Sequence, residues 1–264
     1  MSRLLLSLKL PVFRNRLTRP CMAISSIGMR FLRFVIAFFL LPAIAAEALS
    51  IYSLMPSMLT LSFPYLSKEM LAVIGGYCLL IIFFFFIPIP ISIYVFGHEL
   101  THAVWGFLTG SKVGRIHVSS KGGYCTVSDP GMFTTLAPYF VPFYLVVLLL
   151  IKVIAGIWLP LEDYALWWLV GVGVTYGFHF VYTVKMLVEV EQPDVREYGH
   201  FFSYTMIVLF NLLILGAGLV FITGTSFLDF GAKLLESLAV SYCYCFNQIL
   251  SGVVWLWKVL VNLI

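Results

Sequence analysis

Charge is the scarcest commodity in this chain. Asp, Glu, Lys and Arg make up only 11% of its 264 residues, while 61% are hydrophobic. A soluble globular domain carries about 25% charged residues. The shortage excludes an ordinary water-soluble globule and points to a polytopic membrane protein. Acidic residues are missing altogether before Glu47, although Arg3, Lys9, Arg14, Arg16, Arg19, Arg30 and Arg33 all fall in that stretch. A nucleic-acid-binding arm is one reading of such a cluster. Directly before a membrane span, the positive-inside rule accounts for it more simply, puts the N-terminus in the cytoplasm and leaves no nucleic-acid partner. Cysteines stand at 21, 78, 125, 243 and 245 with no C-x-x-C pair among them. Zinc-finger and thioredoxin signatures are therefore absent. No internal repeat or low-complexity segment is present.

Against that background one stretch stands out, His98-Glu99-Leu100-Thr101-His102. Between Met70 and Gly110 these two histidines and Glu99 are the only ionisable groups apart from Tyr and Cys. On a helix, residues four apart share a face about one turn apart, so two imidazoles can hold one zinc ion. The intervening glutamate can then act as general base on water activated by the metal, whose pKa zinc lowers to about 7. The plainer reading is two core histidines and a glutamate satisfied by neighbours. Charged groups are expensive in an apolar setting, and this register favours the metal.

In chain order, residues 1–30 read as a basic cytosolic or interfacial leader and 31–264 as one membrane-embedded domain, with its core about 70–223. The first span is expected from Phe31 to Leu54. Its basic start and the small residues Ala43-Ile44-Ala45 also have the layout of a cleaved signal peptide; the spans that follow favour an uncleaved anchor. Residues 55–69 read as a loop. A single helix over 70–110 would be about 60 Å long, twice the hydrocarbon thickness, so it must break, and Ile87-Pro88-Ile89-Pro90 is where proline breaks it. Without a polar loop between the halves, one bent span continuing as the motif helix is favoured over two spans. Val113–Val118 and Gly123–Val127 flank Ser119-Ser120-Lys121-Gly122 and predict a β-hairpin, closed by Asp129-Pro130-Gly131. Further spans are expected over 136–159, 164–187 and 202–223, with 226–264 a sixth span or an interfacial helix. The fold class is thus all-α and polytopic, with five to six transmembrane helices and a small β-hairpin after the motif helix.

Two spans separate the motif from the polar segment 188–200, so both end on the same side of the membrane, the cytoplasmic one by loop charge. Zinc needs a third protein ligand if a fourth position is to stay open. Asp194, Glu189, Glu191 and His200 lie on that side, with His179 inside the preceding span. Asp194 is favoured, since it follows Pro193 at the head of a span and can point inward; a helix N-cap is its other reading. His179 is the strongest rival, because a histidine within a span is a functional-site candidate by default. His117 reads as an exposed hairpin residue.

Over roughly residues 90–215 the chain resembles the site-2 protease family of intramembrane zinc metalloproteases. The likeness rests on the His98–His102 motif on a membrane helix, then a hairpin, a proline-bearing span and a later aspartate heading a further span. Family members usually carry Gly where Thr101 stands and an Asp-Gly pair where Asp194 is followed by Val195. The resemblance implies zinc ligands at His98, His102 and Asp194, with Glu99 as base. It also implies a membrane-protein substrate whose locally unwound helix pairs with Gly122–Val127 as an added strand. The expected activity is hydrolysis of a peptide bond in or near the bilayer. The alternative is a non-catalytic scaffold, assembly factor or transporter-like protein with a structural or vestigial metal site.

Overall fold

A computed structural model describes residues 27–59, 66–86, 91–119 and 122–262. Most of the basic leader, the Pro88–Pro90 break and the hairpin turn at 120–121 lie outside those residues. The described chain is mostly helical, with one two-stranded antiparallel hairpin. Its helices are α1 (Ile27–Tyr52), α2 (Met55–Met58), α3 (Lys68–Phe86) and α4 (Ile91–Leu108), then, after the hairpin, α5 (Met132–Leu136), α6 (Phe143–Ala155), α7 (Ala165–Glu189), α8 (Pro193–Tyr198), α9 (His200–Thr223) and α10 (Phe227–Asn262). Strands β1 (Val113–Ser119) and β2 (Gly122–Val127) pair with Ser119 opposite Gly122, and a bulge falls between Val113 and Ile116.

Among the described residues, four helical stretches are long and apolar enough to cross a membrane: Ile27–Met58, Glu162–Glu189, α9 and α10. A bent pair, Met132–Tyr139 with Phe143–Ala155, makes a fifth if it is one span. The span expected from Leu136 to Leu159 is therefore not one straight helix. Its two limbs meet at 84°, with a 3-10 turn at Ala137–Tyr139 leading into the bend. Pro142 sits at that bend, where a residue without an amide hydrogen cannot continue the upstream helix. The loop expected over 55–69 also begins with a short helix, α2. Pro56 stands in its first turn, where a missing N–H costs nothing. The tail is one continuous 36-residue helix. None of its residues is buried beyond Ser241.

Lipid is as apolar as a leucine side chain, so helices in a membrane associate through close packing rather than expulsion of water. Small residues do this work in the chain. A methyl group added at Gly76 would run into the Val170 carbonyl, and one added at Gly173 into the Val73 carbonyl. These two glycines let α3 and α7 cross backbone to backbone. On α4, a methyl at Gly106 would stand 2.8 Å from Val127 Cγ1 and one at Gly97 2.9 Å from the Tyr144 ring. The motif helix can therefore lie directly against β2 on one side and α6 on the other.

Two buried clusters flank the motif. One, from α3, α4 and α7, includes Leu80, Tyr94, Val95, Phe178, Tyr182 and Met186. The other joins α1 to the 136–140 turn, α8 and α9 through Ala37, Leu136, Phe140, Val195, Phe202 and Met206. The first helix belongs to this packing: the Tyr242 hydroxyl of α10 donates to the Phe39 carbonyl at 2.7 Å, and Arg33 donates to the Glu197 carbonyl at 3.1 Å while lying over the Tyr198 ring.

Candidate metal centre

Helix α4 presents His98 and His102 on one face, with ring centroids 4.9 Å apart and both residues buried. The 188–200 segment supplies the facing group. Pro193 opens α8 at the first helical position, which its fixed φ suits, and Asp194 follows in the first turn. Asp194 is turned into the protein there. It is 1% exposed, and its Oδ2 lies 3.6 Å from His98 Nε2 and 3.4 Å from His102 Nε2. It heads a separate six-residue helix rather than the long span, because Gly199, at φ +91°, turns the chain between α8 and α9.

One ligand atom from each of the three residues lies within 4.8 Å of the others, so the group can hold a metal ion. Tetrahedral zinc, with ligands at about 2.0–2.2 Å, sets them about 3.3 Å apart, close to the distances found here. The imidazole of His102 is already oriented for this. Its Nδ1 donates to the Thr134 carbonyl at 2.8 Å, which leaves the Nε2 lone pair towards Asp194. A lone pair facing a carboxylate oxygen calls for a cation between them, a proton or a metal ion. With a second nitrogen, His98 Nε2, on the same oxygen, one metal ion satisfies all three donors where one proton satisfies two. Tyr94 Oη lies 3.5 Å from His98 Nδ1.

Burial alone would push the Asp194 carboxyl up, but the charge and hydrogen bonds of His102 and His98 outweigh it and hold the carboxyl well below its usual range. The Tyr139 hydroxyl supports the same oxygen, at 3.0 Å from Asp194 Oδ2 and 3.1 Å from Gln192 Oε1. Gln192 in turn donates to the Met186 carbonyl at 3.1 Å, which ties the end of α7 to the start of α8.

Glu99 is fully buried, and neither carboxylate oxygen has a hydrogen-bond partner among the described residues. It feels the charges of both His102 and Asp194. Strand β2 packs over it: a methyl at Gly123 would stand 2.6 Å from Val95 Cγ1 and 3.0 Å from Glu99 Cγ. Along β2, Gly122, Gly123, Cys125 and Val127 are buried, while β1 is largely exposed.

The other candidates fall outside the cluster. Glu189, Glu191 and His200 are exposed, and Glu191 pairs with Arg196 at 3.6 Å. His117 is exposed and stacks on Tyr124. His179 is buried but is not one of the three converging groups; it lines a small cavity beside His98. Sequence reasoning missed Tyr139, whose aromatic ring at the opening of a span reads as an interfacial anchor. It also missed Glu47, 1% exposed inside α1; a lone carboxylate in an apolar run was the available signal. Thr134 acts through its carbonyl, for which side-chain chemistry gives no sign.

No family model, no curated protein and no solved structure matches this chain.

Proposed function

We propose that the chain is an intramembrane zinc metalloprotease of the site-2 protease type, which hydrolyses a peptide bond of a membrane protein in or near the bilayer. The observation that carries this reading is the meeting of His98, His102 and Asp194 beside a buried, unpartnered Glu99. Zinc held by these three residues would polarise a peptide carbonyl and lower the pKa of water to about 7.

The protein's own groups do the rest. Thr134 and Tyr139 fix the orientations of His102 and Asp194, so the ligand set is assembled before substrate arrives. Glu99 takes a proton from the attacking water as the carbon–oxygen bond forms, and gives it to the amine as the carbon–nitrogen bond breaks. Because Glu99 has no competing partner, its carboxylate is free for that proton. A substrate helix must unwind locally, since its carbonyls are already hydrogen-bonded, and the unwound segment pairs along Gly122–Val127, the strand that covers Glu99.

The test is proteolysis by detergent-purified protein and its Glu99→Gln variant, each incubated with solubilised membrane proteins from cells lacking the chain. New peptide termini, read by mass spectrometry, should form with the wild type and not with the variant. Identical termini with both would contradict the reading and favour the scaffold alternative.

A further inference from the structure

Asp194 reaches the metal centre from α8, a helix of six residues, and helices so short are marginal without outside contacts. Tyr139 and Gln192 secure its N-terminal end. Its middle is held from α9 by the Ser203 hydroxyl, which donates to the Val195 carbonyl at 2.9 Å. At the C-terminal end Gly199, at φ +91°, turns the chain away. The last carbonyls of a helix have no partner within it, so that end needs a donor from elsewhere.

Helix α1 supplies one. Arg33 donates through Nη1 to the Glu197 carbonyl at 3.1 Å, and its guanidinium carbon lies 4.5 Å from the centre of the Tyr198 ring. The Tyr198 hydroxyl in turn donates to the Pro130 carbonyl at 3.4 Å, shortly before α5, whose Thr134 carbonyl orients His102. Four residues after Arg33, on the same face of α1, Ala37 is buried in one cluster with Val195 of α8. The face of α1 that carries Arg33 is therefore the seat of α8.

We infer that Arg33 is a positioning residue of the metal centre: it clamps the C-terminal end of α8 and so fixes the Asp194 carboxylate against His98 and His102. The inference rests on the reading of those three residues as metal ligands. Asp194 and Glu197 are three positions apart, about 4.5 Å along a single helical turn, so a shift at the clamp is passed to the carboxylate. Metal–ligand distances hold to within about 0.2 Å, and a small pivot of α8 is enough to spoil the set. The first span thus takes part in the chemistry although none of its side chains touches the metal ligands' polar atoms in the contacts above. Its guanidinium does this through the main chain of α8.

The test titrates cobalt(II), whose visible bands report ligand geometry independently of activity, into the full chain in detergent. Arg33→Met keeps an apolar stem of similar length and removes the guanidinium. It should weaken cobalt binding about 10–100-fold, the usual cost of losing a group that orients a ligand, and shift the bands. Tyr242→Phe deletes a different bond to α1, the one from α10 to the Phe39 carbonyl, and should bind cobalt as wild type does. Wild-type affinity and bands in Arg33→Met would overturn the inference. So would an equal loss in Tyr242→Phe, which is the pattern of a generally loosened α1. If Arg33→Met does not fold, Tyr198→Leu carries the test: α1 is intact, the guanidinium loses its ring, and unchanged cobalt binding would overturn the inference. A wild type that takes up no cobalt would instead remove the metal centre itself, and the role of the clamp with it.

Discussion

Tyr139 and Asp194, 55 residues apart in sequence, meet with the tyrosine hydroxyl 3.0 Å from Oδ2. That is the oxygen facing both imidazoles. Tyr139→Phe keeps the ring edge-on to His98 and deletes the bond alone. Zinc affinity, measured by chelator competition, should fall about 10–100-fold with one site per chain retained at saturation. An unchanged affinity would mean that Asp194 is placed by α8 and Gln192 without help.

The third ligand separates from its rivals by charge. Asp194→Asn preserves shape and removes the anionic oxygen, so it should lose most bound zinc. His179→Asn should keep one zinc per chain under saturating metal, and Glu191→Gln should behave as wild type, because Glu191 is exposed and pairs with Arg196. Loss in His179→Asn with retention in Asp194→Asn would exchange the two roles.

Gly123 gives a test of the strand over Glu99. An alanine methyl there has Val95 at 2.6 Å and Glu99 at 3.0 Å, both on α4, so the strand or the glutamate must shift. A displacement of about 1 Å in a reacting group can cost on the order of 100-fold in rate. Gly123→Ala should therefore lower cleavage strongly while zinc content stays near one per chain. Normal cleavage would show that β2 does not constrain the base.

The α3–α7 crossing predicts a stability effect remote from the centre. Gly173→Ala drives a methyl into the Val73 carbonyl, a main-chain atom that no rotamer change can move. Overpacking of this kind costs roughly 1–3 kcal/mol. The melting temperature in detergent should drop, whereas Gly218→Ala, where nothing lies within 4 Å, should leave it unchanged. Equal melting of the two variants would contradict the close crossing.

Much of this was legible in the chain itself. The register of His98, Glu99 and His102 within an apolar run announced the cluster, and the count of spans between Gly110 and Glu189 put Asp194 on the motif's side. The hairpin was readable from Val113 to Val127 because β-branched residues surround a polar turn. What could not be read depends on distant contacts. Asp194 followed by Val195 looks like the start of a span, and only Gly199 at φ +91° makes α8 a separate element. Pro142 looks like an interior proline of one span, whereas the limbs diverge by 84°. Tyr139 and Thr134 acquire roles only when that bend brings them against α4 and α8.

Zinc content of detergent-purified protein, measured by elemental analysis, tests the account most directly. Wild type and Glu99→Gln should each carry about one zinc per chain, and the His98→Ala/His102→Ala variant should carry none, since two of three protein ligands are gone. Equal zinc in the double variant and wild type would contradict a metal centre on α4 and, with it, the proposed chemistry.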